Sequence, residues 1–202
     1  MLNGRSIDPA ALDLLKKANH DGIETVWERY EKQQPQCGFG SLGLCCRHCI
    51  QGPCRIDPFG EGPDKGICGA TADVIVARNL LRQVAAGAAA HVDHAYEAVE
   101  ALELAAEGKI GYPIADENKL KEIAKGLGIE TDGKDTKTLA LEVVEVAYGD
   151  MGNPHKRPMK WVSAHAPKER LEVWETLGIL PRNPDREIRE AMHQTTMGMD
   201  AD

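Results

Sequence analysis

Apolar residues recur every three to four positions through most of the chain, and each run is bounded by capping residues. Asp8-Pro9 opens the first, "PAALDLLKKAN", with an N-cap followed by proline at the first helical position. Gly22 separates it from "IETVWERYEKQ", which ends before Pro35. The longest run extends from Gly69 to Glu107, with Gly108 placed as its C-terminal cap and Gly87 as a point of breakage or kinking. Later helices are predicted from Asp116, Asp135, Pro167 and Asn183-Pro184. Residues 34–67 differ. They are rich in glycine and proline, lack a helical period, and read as a loop with one helical turn near Cys46. No strand pattern, internal repeat or low-complexity tract is evident. The pattern predicts an all-α fold: N-terminal helices over 1–36, a cysteine-rich cluster-binding loop over 37–70, and a helical domain over 71–202.

Composition supports this class. The 202 residues are 42% hydrophobic but only 4% aromatic, and the abundant Ala, Leu, Glu and Lys favour helix. Net charge is 24 − 32 = −8, which offers no general attraction to nucleic acid or anionic lipid. No stretch reads as a membrane span or a secretory signal, so a cytoplasmic location is expected. The basic run at 154–161 reads as a solvated loop, and the methionines near 192–199 as packing residues.

All six cysteines fall between residues 37 and 68: Cys37, Cys45, Cys46, Cys49, Cys54 and Cys68. In a reducing compartment such clustering points to metal or redox chemistry. Cys45 and Cys46 are neighbours whose side chains tend to diverge, so they are expected to serve different centres. Cys46-x2-Cys49-x4-Cys54-x13-Cys68 forms a natural set of four. It suits an iron–sulfur cluster, with structural zinc as the competing occupant. Gly52, Gly66 and Gly69 would let the backbone approach, and Arg47 and Arg55 would offset thiolate charge. Cys37 and Cys45 are left over as free thiols, a disulfide, or half of a site completed by a second copy on a two-fold axis.

Among the seven histidines, His91 and His94 lie three residues apart on the long helix, as side-chain neighbours. Imidazole titrates near neutrality and can relay protons, although solvated helix positions are the commoner outcome. Continuing the three-residue steps reaches Glu97 and Glu100. His20, His48, His155, His165 and His193 read as positions without a role, and His48, inside the cysteine loop, could alternatively tune a cluster through a hydrogen bond to sulfur.

The stretches "GLCCRHCIQGPCRI", "GICGA" and "MHQTTMGMDAD" resemble the N-terminal region of the anaerobic nickel–iron carbon monoxide dehydrogenases, and the likeness runs through nearly the whole chain. The resemblance implies a [4Fe-4S] cluster, B, on Cys46, Cys49, Cys54 and Cys68. It also implies a cluster, D, shared between the subunits of a homodimer through Cys37 and Cys45, as [4Fe-4S] or [2Fe-2S]. It implies oxidation of CO with water to CO2, two protons and two electrons, with a ferredoxin-like acceptor. His91 is implied as the acid/base at the substrate and His94 as the next proton carrier, with Glu97 and Glu100 standing where some relatives carry histidine. The family's Ni–Fe–S C cluster, and two further α/β Rossmann-like domains, belong to sequence beyond residue 202. The chain is therefore expected to be the electron-transfer part of a longer enzyme and inactive alone. Acetyl-CoA synthase or a hydrogenase are further implied partners, the latter giving a peripheral membrane association.

Other classes stay in view. A stand-alone iron–sulfur carrier or redox sensor would use the same cysteines without nickel. A hybrid-cluster-type reductase is a related helical class with different cysteine spacing. A zinc-stabilised interaction module would carry neither iron nor sulfide.

Overall fold

The computed structural model describes residues 4–152 and 157–196. His155, Met197, Met199 and the last residues of the "MHQTTMGMDAD" stretch lie outside the described residues, as does part of the basic run.

The chain begins with α1 (Pro9–His20) and α2 (Val26–Lys32). The Asp8 side chain accepts a hydrogen bond from the Ala10 N–H, and Thr25 with Glu28 forms a capping box at α2. Arg5 ties the two ends of this unit. It bonds to Glu28 at 2.9 Å and Glu31 at 2.5 Å, and lies 5.8 Å over the Trp27 ring. Neither helix buries a residue fully.

The cysteine segment is more ordered than its sequence predicts. A short turn, α3 (Gly38–Ser41), follows Cys37. The helical turn expected near Cys46 is replaced by extended chain: β1 (Cys45–Cys46) pairs antiparallel with β2 (Cys54–Arg55), with Cys46 opposite Cys54. The Ile56 N–H also donates to the Leu44 carbonyl at 3.0 Å. Leu44, Cys46, Ile56, Ala70 and Ile75 make a small core beneath this ladder. Two-residue strands are too short to show a period of two, so their pairing rests on this burial.

The main body is α4 (Ala72–Glu107), α5 (Glu117–Gly126), α6 (Thr136–Gly152), α7 (Lys160–His165), α8 (Lys168–Leu177) and α9 (Pro184–Gln194). The short α7 lies in a stretch without an expected helix. The α4 helix runs unbroken through Gly87, contrary to the expected break. A glycine there costs about 1 kcal/mol relative to alanine, which a 36-residue helix held by packing absorbs. The helix starts at Thr71, whose hydroxyl caps the Val74 N–H, and stops at Gly108, whose φ of 71° few other residues adopt readily. It packs against α6 and α9, and its first turns reach β1. A second core of Ala106, Leu120, Ala124, Leu127, Leu139, Ala140 and Val143 joins α4, α5 and α6. Thus one rigid helix connects the helical core to the cysteine segment.

A candidate metal centre in the cysteine segment

The ladder and the start of α4 bring four of the six cysteines together. Cys46, Cys49, Cys54 and Cys68 border one small pocket with His48, Gly66, Ile67, Ala70, Ile75 and Arg78. Strand alternation separates Cys45 from Cys46. Cys46 is buried in the small core, whereas Cys45 is only half-buried and Cys37 is exposed; neither borders the pocket.

The sulfur atoms sit among hydrogen-bond donors. The Ile67 N–H points to the Cys54 sulfur at 3.5 Å, and the Arg78 Nη1 lies 3.7 Å from the Cys68 sulfur. Arg78 is 5% exposed. A guanidinium at that depth is stabilised by thiolates facing it, and thiolates by the guanidinium. This differs from the expected charge partners: the Arg55 guanidinium stands 5.1 Å over the Phe39 ring, and Arg47 does not border the pocket.

One glycine permits the close packing. A side chain at Gly52 would meet the Cys46 carbonyl at 3.1 Å and the Cys54 nitrogen at 3.2 Å. One at Gly66 would meet the Cys54 sulfur at 3.7 Å, an ordinary contact. Gly69 acts differently, through a φ of 93° with open space around it. Among the described residues, no three His, Cys, Asp or Glu side chains converge on a position for one metal ion. Four cysteines bordering one pocket are the donor set that an iron–sulfur cluster takes.

Asn79 is a second residue that sequence reading missed. Its Nδ2 donates to the Gly43 carbonyl at 2.8 Å and the Cys45 carbonyl at 3.1 Å. Its Oδ1 lies 2.9 Å from His48 Nε2. Only the adjacency of Arg78 and Asn79, early in the helix that follows Cys68, could have pointed to them.

His91 and His94 lie apart from the cysteines, both exposed on α4. Glu97 and Glu100 are exposed as well. The next three-residue step, Glu103, accepts a hydrogen bond from the Tyr148 hydroxyl at 3.1 Å. Tyr148 stacks on Tyr96 with ring centroids 5.9 Å apart. Burial, with Glu103 second, raises the Tyr148 hydroxyl above its ordinary value. No helix of the described residues is long and apolar enough to cross a membrane.

An all-α body with a thiol-lined pocket at the head of its longest helix defines a helical metalloprotein class. Residues 44–202 match the Prismane/CO dehydrogenase family, and the chain belongs to it. It is 54% identical over 199 residues to carbon monoxide dehydrogenase 1 of Methanosarcina mazei, covering 98% of this chain and 31% of that protein. Among solved structures it is similar to carbon monoxide dehydrogenase IV from Carboxydothermus hydrogenoformans, at 63% identity and a TM-score of 0.87 over 98% of this chain and 31% of that one. Another similar structure is an acetyl-CoA synthase/carbon monoxide dehydrogenase described with NiZn[Fe4S4] and NiNi[Fe4S4] clusters in its alpha subunits. It is 41% identical, with a TM-score of 0.87, over 98% of this chain and 30% of that one. The chain thus spans about a third of the length of these relatives.

Proposed function

We propose that this chain is the helical, electron-transfer part of a nickel–iron carbon monoxide dehydrogenase. The longer enzyme would catalyse CO + H2O → CO2 + 2 H⁺ + 2 e⁻ in a reducing cytoplasm, with a ferredoxin-like acceptor. The observation that carries this reading is the convergence of Cys46, Cys49, Cys54 and Cys68 on one pocket, in a chain so similar to proteins of that name.

These four thiolates would hold a [4Fe-4S] cluster, B, which supplies one-electron acceptance and release when bound. The Ile67 N–H and the Arg78 guanidinium stabilise thiolate charge at Cys54 and Cys68. Gly52 keeps the approach clear. Cys37 and Cys45 would hold half of a second cluster, D, with the same pair from another copy completing it. An apolar surface beside them supports that homodimer. Val76, Leu80 and Val84 follow one another at four-residue steps on α4, at 40%, 61% and 60% exposure, and Leu42 nearby is 57% exposed. His91 and His94 would accept protons released by CO oxidation, at imidazoles open to the rest of the enzyme. Nickel ligation, and association with acetyl-CoA synthase or a hydrogenase, belong to the longer protein.

The test is metal analysis of anaerobically purified protein together with its mass in solution. A dimer with about six iron per chain, four plus half of four, supports both centres for this chain. The longer enzyme should add iron and about one nickel per chain, and oxidise CO. Zinc near one per chain without labile sulfide sinks the proposal.

A further inference from the structure

The Cys45 carbonyl belongs to the peptide bond that joins Cys45 to Cys46. That peptide is the covalent link between the four-thiol pocket and the cysteine pair outside it. Asn79 holds it from α4. One Nδ2 hydrogen goes to the Cys45 carbonyl and the other to the Gly43 carbonyl, at 3.1 Å and 2.8 Å. An amide nitrogen has two hydrogens to give, so both are spent on the backbone flanking Leu44. Two carbonyl partners also fix which end of the amide is nitrogen. The remaining oxygen then accepts from His48 Nε2 at 2.9 Å, and His48 borders the pocket. One half-buried side chain therefore touches the shared peptide, the strand before it and the pocket wall.

We propose that Asn79 is the positioning residue that fixes the two sets of cysteines relative to one another. This rests on the reading of two iron–sulfur centres given above. The β1–β2 pairing restrains the same peptide from one side, with Cys46 opposite Cys54. Asn79 restrains it from the helix, so displacement of the peptide would cost hydrogen bonds on both. Displacement would carry the Cys45 and Cys46 side chains together, because each Cα is bonded to that peptide. Loss of Asn79 must then disturb both centres at once. A residue that merely supported the pocket would disturb one.

The experiment compares Asn79→Ala and Asn79→Asp in the full-length enzyme, purified without oxygen. The readouts are iron per chain, the paramagnetic resonance of each reduced centre, and the midpoint potential of each. Asparagine and aspartate are nearly isosteric, so Asn79→Asp preserves packing and an acceptor for His48 while removing both N–H donors. The expected result is iron retained near the unaltered level, with shifts in resonance and potential at both centres in both variants. Asn79→Asp matching the unaltered enzyme overturns the proposal, as does a change confined to one centre. Should Asn79→Ala not fold, Asn79→Leu takes its place, since it keeps the volume, removes both donors and adds no charge. Unaltered enzyme lacking iron at these cysteines would instead sink the underlying reading, a separate outcome.

Discussion

The Arg78 guanidinium lies 3.7 Å from the Cys68 sulfur, joining the second turn of α4 to the loop that precedes the helix. A charge-assisted hydrogen bond of this kind contributes about 1.5–3 kcal/mol in a buried setting. Replacing Arg78 with Met keeps much of the volume and removes the charge. Reduction adds negative charge to a centre held by thiolates, so loss of a nearby cation makes reduction harder. Arg78→Met should move the midpoint potential of the four-thiol centre to more negative values, as read by an anaerobic redox titration. Arg78→Lys should fall between Met and the unaltered protein.

The cysteines should separate by iron count. On the proposed reading, Cys45→Ser is expected to leave about four iron per chain and Cys54→Ser about two, because the first would belong to the shared pair and the second to the pocket. Iron and labile-sulfide assays on anaerobic samples check this. Equal losses from the two variants would contradict the division into two centres.

The exposed stripe on α4 should govern association. Leu80 is 61% exposed within the chain, and burial of that remaining surface against a second copy would stabilise the dimer by about 1–2 kcal/mol per subunit. Leu80→Glu adds an unpaired charge there. Sedimentation of the iron-loaded protein should show a shift from dimer to monomer, with loss of iron from Cys37 and Cys45 and retention at the pocket.

Tyr148 gives a test at alkaline pH. Burial first, then its hydrogen bond to Glu103, raises its hydroxyl above the ordinary value of 10.0. The folded state thus binds this proton more tightly than the unfolded state. The resulting stabilisation is complete below pH 10 and is lost as pH rises through the folded value. Tyr148→Phe should flatten that alkaline dependence and lower stability near neutral pH by about 1 kcal/mol. Denaturant titrations at several pH values measure both effects.

Glu28 gives the acid counterpart. The Thr25 hydroxyl first, then Arg5, lowers its carboxyl from 4.5 to about 2. Its contribution is present above about pH 4.5 and fades as pH falls through about 2. A carboxyl-detected magnetic resonance titration should find Glu28 among the last glutamates to protonate. Glu28→Gln should remove the acid dependence of α2 over that window.

Much of the architecture was legible in local pattern. Asp8, Gly108, Asp116 and Asn183 mark helix ends because a cap acts on backbone groups only a few residues away. The grouping of Cys46, Cys49, Cys54 and Cys68 was also readable, since a short glycine–proline loop brings close spacings together. The adjacency of Cys45 and Cys46 also pointed to their divergence, which extended backbone produces in place of the expected helical turn.

What the sequence could not reveal depends on partners far apart along the chain. Asn79 meets carbonyls 34 and 36 residues before it, and Arg78 meets a sulfur 10 residues before it. Neither pairing has a local period, and arginine and asparagine are ordinary on a helix surface. The same holds for the Cys46–Cys54 ladder, which forms over the small core of Leu44, Ile56 and Ile75. The sequence determined which residues could be ligands and where most of the longer helices begin and end. Only the tertiary structure decided which cation and which amide face those ligands, because that follows from docking the first turns of α4 onto the cysteine loop.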